Sequence, residues 1–233
     1  MANTESSFAD RYGRALTLAG SIAEFTPAFA PPDTSLTPTN FAAFLESIEA
    51  ANRTLADRRE DLSNAVAERQ AMAKTIKTLC QRAMTYVTSN PAWSKHASTI
   101  KLTYTRLRGY RPGRAKAPTQ GDEAEVRKFK VTQRSFAELD DLFTRFITAL
   151  DKVPGYAPPA PELTITQLQA TDTAFETINK AIADLAPEVA LLVRNRASLY
   201  ESLREKARGI KAAVLAQYGP TSPEYDTIKR LRF

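Results

Sequence analysis

A chain of 233 residues can bury one large core or two small ones, and 43% apolar with 25% charged residues is ordinary for a globular protein. The single cysteine, Cys80, excludes an internal disulfide and a cysteine-rich metal site, and no apolar stretch nears the roughly 20 residues that span a bilayer. The net charge of +6 is concentrated: from Lys101 to Arg134, ten Lys or Arg face Asp122, Glu123 and Glu125, a net +7 that leaves −1 for the rest.

Glycine is scarce (8) while Ala, Leu, Glu, Arg and Lys abound, which favours helix over sheet. A short helix is expected over 7–25 with Ser7 as N-cap. The proline-rich corner 27–32 follows, and no helix runs through it. A long helical stretch covers 38–89; then Asn90-Pro91 opens a helical tail ending in Arg106-Leu107-Arg108. Pro112, Gly113, Pro118 and Gly121 break the next segment into a basic connector, 110–132. The same order then returns: a short helix over 135–152 behind Ser135, a corner at 154–159, a long stretch over 164–217, and a tail opened by Ser222-Pro223.

This return is an internal repeat. A shift of 127 carries Pro27-Ala28-Phe29-Ala30-Pro31-Pro32 onto Pro154-Gly155-Tyr156-Ala157-Pro158-Pro159, and runs without a gap through Asn52/Asn179, Arg69/Arg196 and Val87/Val214. Upstream, Ser7-Phe8-Ala9-Asp10 matches Ser135-Phe136-Ala137-Glu138 after a one-residue slip. The expected organisation is a first helical repeat at 1–109, the connector at 110–132 and a second repeat at 133–233.

Within each long stretch an apolar residue falls every seven. The first seam is Ile48, Leu55, Leu62, Arg69, Ile76, Ala83; the second is Phe175, Ile182, Val189, Arg196, Leu203, Ile210. A heptad that keeps its phase favours one continuous helix, coiled-coil-like in pattern. Pro187 opposes this, and leaves open a hairpin broken near Arg58–Leu62 and Leu185–Val189. A helix of some 50 residues is about 75 Å long. The fold class is therefore all-α: a tandem duplicated unit of short helix, proline corner, long helix and short tail, forming an elongated rod resembling a four-helix bundle.

The Ser-Phe starts, the 154–159 corner, and the ending Tyr218-Gly219-Pro220-Thr221-Ser222-Pro223-Glu224-Tyr225 with Ile228-Lys229 and Phe233 resemble an uncharacterised family of bacterial, internally duplicated helical hypothetical proteins. The resemblance implies the helical, duplicated fold and no particular activity.

Arg69 and Arg196 interrupt the seam at matching places, as Asn52 and Asn179 do on the companion row. They are candidates for buried polar residues that set helix register and oligomer state; the alternative is arginine with its stem packed and its head in water. The connector region offers Arg106, Arg108, Arg111, Arg114, Lys116, Arg127, Lys128 and Lys130 among Tyr104, Tyr110 and Phe129, a composition that suits phosphate backbones and stacked bases. A solvated linker has the same composition.

His96 is the only histidine and reads as a surface residue. Cys80 reads as a small buried thiol. No Glu-x-x-His pair, Gly-rich phosphate loop or Gly-x-Ser-x-Gly elbow is present, so neither enzyme chemistry nor a cofactor is expected. The polar start, Met1 to Ser7, lacks the order of a secretion signal, which points to the cytoplasm with no membrane partner. The expected function is a structural or protein-interaction module that associates with itself or another helical protein, with Phe41, Phe44, Phe143 and Phe146 meeting either the other copy or another subunit and a filament as one outcome. Nucleic-acid association through 101–134 is the alternative.

Overall fold

The computed structural model describes residues 4–112, 128–130 and 135–233. It is all-α apart from one short ladder. Helix α1 spans Thr4–Glu24. It starts before Ser7, which is therefore inside the helix and not its N-cap; no proline or glycine between Thr4 and Ser7 stops the first turn earlier. Pro38 opens α2, Pro38–Thr88, at the first helical position. Asn90 accepts a hydrogen bond from the Ala92 amide and caps a 3-10 turn at Pro91–Trp93, which leads into α3, Ser94–Leu107. Helix α4 spans Phe136–Asp151. Here Ser135 is the N-cap, its hydroxyl accepting from the Glu138 amide. Helix α5 spans Ile165–Tyr218 and passes through Pro187 without ending. Ser222 caps α6, Pro223–Ile228, by accepting from the Tyr225 amide.

The hairpin alternative for the long stretches does not occur: α2 and α5 are each one continuous helix. Proline costs a helix one backbone bond and crowds one carbonyl, and 54 residues of otherwise unbroken helix absorb that at Pro187. The connector is not wholly loop. Its ends, β1 (Tyr110–Pro112) and β2 (Lys128–Lys130), pair antiparallel with Arg111 opposite Phe129. Among the described residues, no helix is long and apolar enough to cross a membrane.

The chain folds as two compact units that cut across the two sequence repeats. The first unit comprises Met1–Glu60 and Ala186–Phe233; the second is Asp61–Leu185. In the first, Leu18 and Ile22 of α1 pack with Phe41, Leu45 and Ile48 of α2, Leu203, Ile210 and Val214 of α5, and Ile228 of α6. In the second, Ile76, Cys80, Ala83 and Val87 of α2 pack with Ile100 and Leu107 of α3, Phe143, Phe146 and Leu150 of α4, and Leu168 and Phe175 of α5. Each large apolar side chain so buried contributes about 2 kcal/mol. Both cores thus combine a segment before residue 110 with one after residue 134.

Phe41, Phe143 and Phe146 are fully buried within these cores. Phe44 is half-buried beneath the Lys206 ammonium, 5.4 Å from its ring centroid. Each ring packs with the other copy of the unit, Phe41 and Phe44 with α5 and Phe143 and Phe146 with α2 and α3, which is the first of the two alternatives the sequence left open.

The proline-rich corners are tied down by side chains of the long helices and tails. Gln217 bridges the first corner, accepting from the Ala30 amide and donating to the Ala28 carbonyl, both at 2.9 Å. Tyr86 donates to the Ala157 carbonyl of the second at 3.0 Å, and the Trp93 indole donates to that of Pro154 at 3.0 Å.

Candidate functional site

The polar residues singled out on the heptad seams lie in two layers, one in each unit. In the first unit, the seam places Arg196 between apolar neighbours, and it is only 7% exposed. Burying a guanidinium costs several kcal/mol unless other groups compensate. One compensation is the Phe8 ring, whose centroid lies 4.6 Å from the Arg196 guanidinium carbon. Phe8 in turn packs against Tyr200, with centroids 4.5 Å apart and planes at 51°. Asn52 donates to the Tyr200 hydroxyl oxygen at 3.1 Å, and Tyr12 donates to Glu49 at 3.3 Å. Burial, then the Glu49 charge and hydrogen bond, hold the Tyr12 phenol above its usual range. Arg59, Leu55 and Ala56 complete the wall of a cavity of about 350 Å³.

In the second unit Arg69 repeats the stacking. It is half-buried, its guanidinium carbon 4.0 Å from the Phe136 centroid, and Phe136 meets Phe175 at 6.5 Å. The remaining polar groups differ. Asn179 has both amide atoms out of solvent with no hydrogen-bond partner, as does Oδ1 of both Asp140 and Asp172. The Thr144 hydroxyl lies 2.9 Å from Asp172 Oδ2 and 3.2 Å from the Asp140 carbonyl. Burial first, then neighbouring negative charge including Glu176, pushes both aspartates up from the ordinary carboxylate range.

The contrast between layers has a sequence cause. At the 127-residue shift Tyr200 corresponds to Ala73, which has no hydroxyl to meet an asparagine; at the shift of 128, Tyr12 corresponds to Asp140. The periodicity identified Arg69, Arg196, Asn52 and Asn179 but not their partners Phe8, Phe136 and Tyr200. The matched Ser-Phe starts were the signal for the two phenylalanines; nothing local marked Tyr200 beyond its companion-row position.

The described basic candidates fall on adjoining backbone, the end of α3 and the ladder that follows it. Arg106 lies in the last turn of α3 and Arg108 caps it, the latter 5.8 Å from the Tyr104 centroid. The backbone of Arg111, Lys128 and Lys130 belongs to the small ladder. Arg114, Lys116 and Arg127 lie outside the described residues.

Cys80 is fully buried, and burial holds its thiol well above the ordinary range. His96 is half-buried on α3 and not a plain surface residue. Among the described residues, no three His, Cys, Asp or Glu side chains gather as a metal ion would require. Along α2, Glu49 pairs with Arg53, and Arg58 reaches Glu188 of α5 at 3.0 Å.

No family model matches the chain, and no curated protein or solved structure matches it.

Proposed function

We propose that this protein is a non-enzymatic structural or protein-interaction module of the cytoplasm, built by duplication of one helical unit and able to associate with copies of itself. The observation that carries the reading is the hybrid make-up of each core: Arg196 rests on Phe8, Arg69 rests on Phe136, and each contact joins the first half of the chain to the second. Such a pairing is indifferent to which chain supplies the second half. Exchange of identical elements between protomers is a low-cost route to assembly: it closes as a dimer or propagates as an open chain. The polar layers support this reading because a polar residue at one seam position penalises slipped registers.

The test is particle mass in solution against protein concentration, by sedimentation and light scattering, with and without nucleic acid. Assemblies at multiples of 25.7 kDa without nucleic acid are expected. A monomer at every concentration refutes self-association. Mass gained only on adding RNA or DNA transfers the function to the basic 101–134 segment, and that binding must then weaken steeply with salt.

A further inference from the structure

The ladder continues from the end of α3, and together 94–112 and 128–130 carry seven Lys or Arg and no Asp or Glu. Helix α3 has two distinct faces. Ile100, Tyr104 and Leu107 are buried in the second core, while Lys95, Lys101 and Arg106 are exposed and enter no ion pair among the described residues. Arg108 is already engaged at the Tyr104 ring. Lys95 and Arg106 are about three helical turns apart and share one edge of the exposed face; Lys101 lies about 120° round the axis, on the other edge. Between the edges run Ser98, Leu102 and Thr105, with Leu102 41% exposed. Ser98 and Thr105 donate their hydroxyl protons to the Lys95 and Lys101 carbonyls, so neither is spent on a ligand. Past the helix, the ladder sets Lys128 level with Pro112 and Lys130 level with Tyr110. The helix packed against α3, α4, carries Glu138, Asp140, Asp141 and Asp151, and Asp141 is paired with Arg145 at 3.0 Å.

We propose that the exposed face of α3, continued by the ladder, binds double-stranded DNA through its phosphates. Cations on two edges of one helix suit two rows of phosphates, and the wide groove of a B-form duplex admits an α-helix. A single strand is held by stacking its bases on aromatic side chains, and Tyr104, the only Tyr, Phe or Trp of α3, is 6% exposed. With the hydroxyls between the edges turned back on their own helix, the contact positions the duplex without reading its bases. This face is turned away from the second core, so DNA binding neither requires self-association nor replaces it.

The test is fluorescence anisotropy of a labelled mixed-sequence DNA duplex with the full-length protein, between about 50 and 200 mM salt. The logarithm of the affinity should fall against the logarithm of salt with a slope of at least about 2.7, which is about 0.9 for each of three phosphate contacts. Lys95→Gln, Lys101→Gln and Arg106→Gln combined should take about 2.7 from that slope. Because all three side chains are exposed, the unfolding midpoint should not move. Lys77→Gln, Lys180→Gln and Arg194→Gln, exposed cations outside this face, remove the same charge and should leave the slope as it was. A single strand of equal length should bind more weakly than the duplex. No binding at about 50 mM salt, a slope near zero, equal losses in the two triple variants, or a single strand bound more tightly than the duplex would each overturn the proposal.

Discussion

Asn52 and Asn179 are the same residue at matching places, yet their replacement by leucine should move stability in opposite directions. The Asn179 amide nitrogen and oxygen are both shielded from solvent with no partner. A buried polar group left unpaired costs about 1–3 kcal/mol. Because the rest of the side chain is half-exposed, the low end applies, and Asn179→Leu should gain about 1 kcal/mol. Asn52→Leu removes a 3.1 Å bond to Tyr200, worth about 1 kcal/mol. It also strips one partner from a phenol in a residue only 2% exposed, so the total loss is about 1–2 kcal/mol. A chain of this size shifts its midpoint by roughly 2–4 °C per kcal/mol. The two variants should thus straddle the parent and differ from each other by about 4–12 °C in Tm, followed by circular dichroism at 222 nm. Two losses, or two gains, would refute the reasoning. A loss at Asn179 would mean that ordered water satisfies its amide.

The second unit should also respond to acid. Asp140 and Asp172 have carboxyls raised above the ordinary value of 3.8, mainly by burial. Raised groups give stability that is fully present below the unfolded value and lost as pH rises through the folded one. The urea midpoint of the second unit should therefore increase as pH falls from neutral toward the ordinary aspartate range, and Asp172→Asn should flatten that trend; an unchanged slope in the variant refutes the assignment. Cys80 should resist a thiol-directed reagent in the folded protein and react at the rate of local opening of the second unit; immediate reaction would contradict its burial.

What was legible in the sequence was whatever rests on local rules. Proline and glycine placement bounded the long helices to within a residue or so, and the cap at Ser135 holds because its side chain has an amide three residues on to meet; Ser222, read only as opening the tail, caps α6 in the same way. Ser7 looked identical to Ser135, but α1 already begins at Thr4. The heptad located the cores: Ile48, Leu55, Ile76 and Ala83 are all buried, as are Phe175, Leu203 and Ile210. Pairing was not legible. A period of seven says which face is greasy and not which helix will cover it, so Tyr200 stood out only by its companion-row position and Asp140 and Asp172 not at all. Their roles depend on neighbours about 30 to 190 residues away in the chain.

The make-up of the cores follows from the same limit of local information. If one helical unit is duplicated, each copy carries an identical apolar seam, and a seam cannot distinguish its own tail from its twin's. Two such copies on one chain can pair by exchanging halves, which buries both seams. On the proposed reading the polar layers add what leucine cannot, because a guanidinium above a ring and an amide opposite a phenol favour the register that brings them together. Once that register is held at the first layer by Asn52 and Tyr200, the second layer is relieved of the duty. Asn179 without a partner and two aspartates each with an unpartnered buried oxygen are the mark of a layer free to diverge. On this argument loss of the Asn52–Tyr200 pair should harm specificity of pairing more than stability. Tyr200→Phe, which keeps the ring and removes only the hydroxyl, should broaden the distribution of assembly masses while lowering the unfolding midpoint by only the roughly 2–4 °C that one hydrogen bond carries. A sharp single species with a large midpoint loss would reverse the order of the two effects and with it the role of the layer.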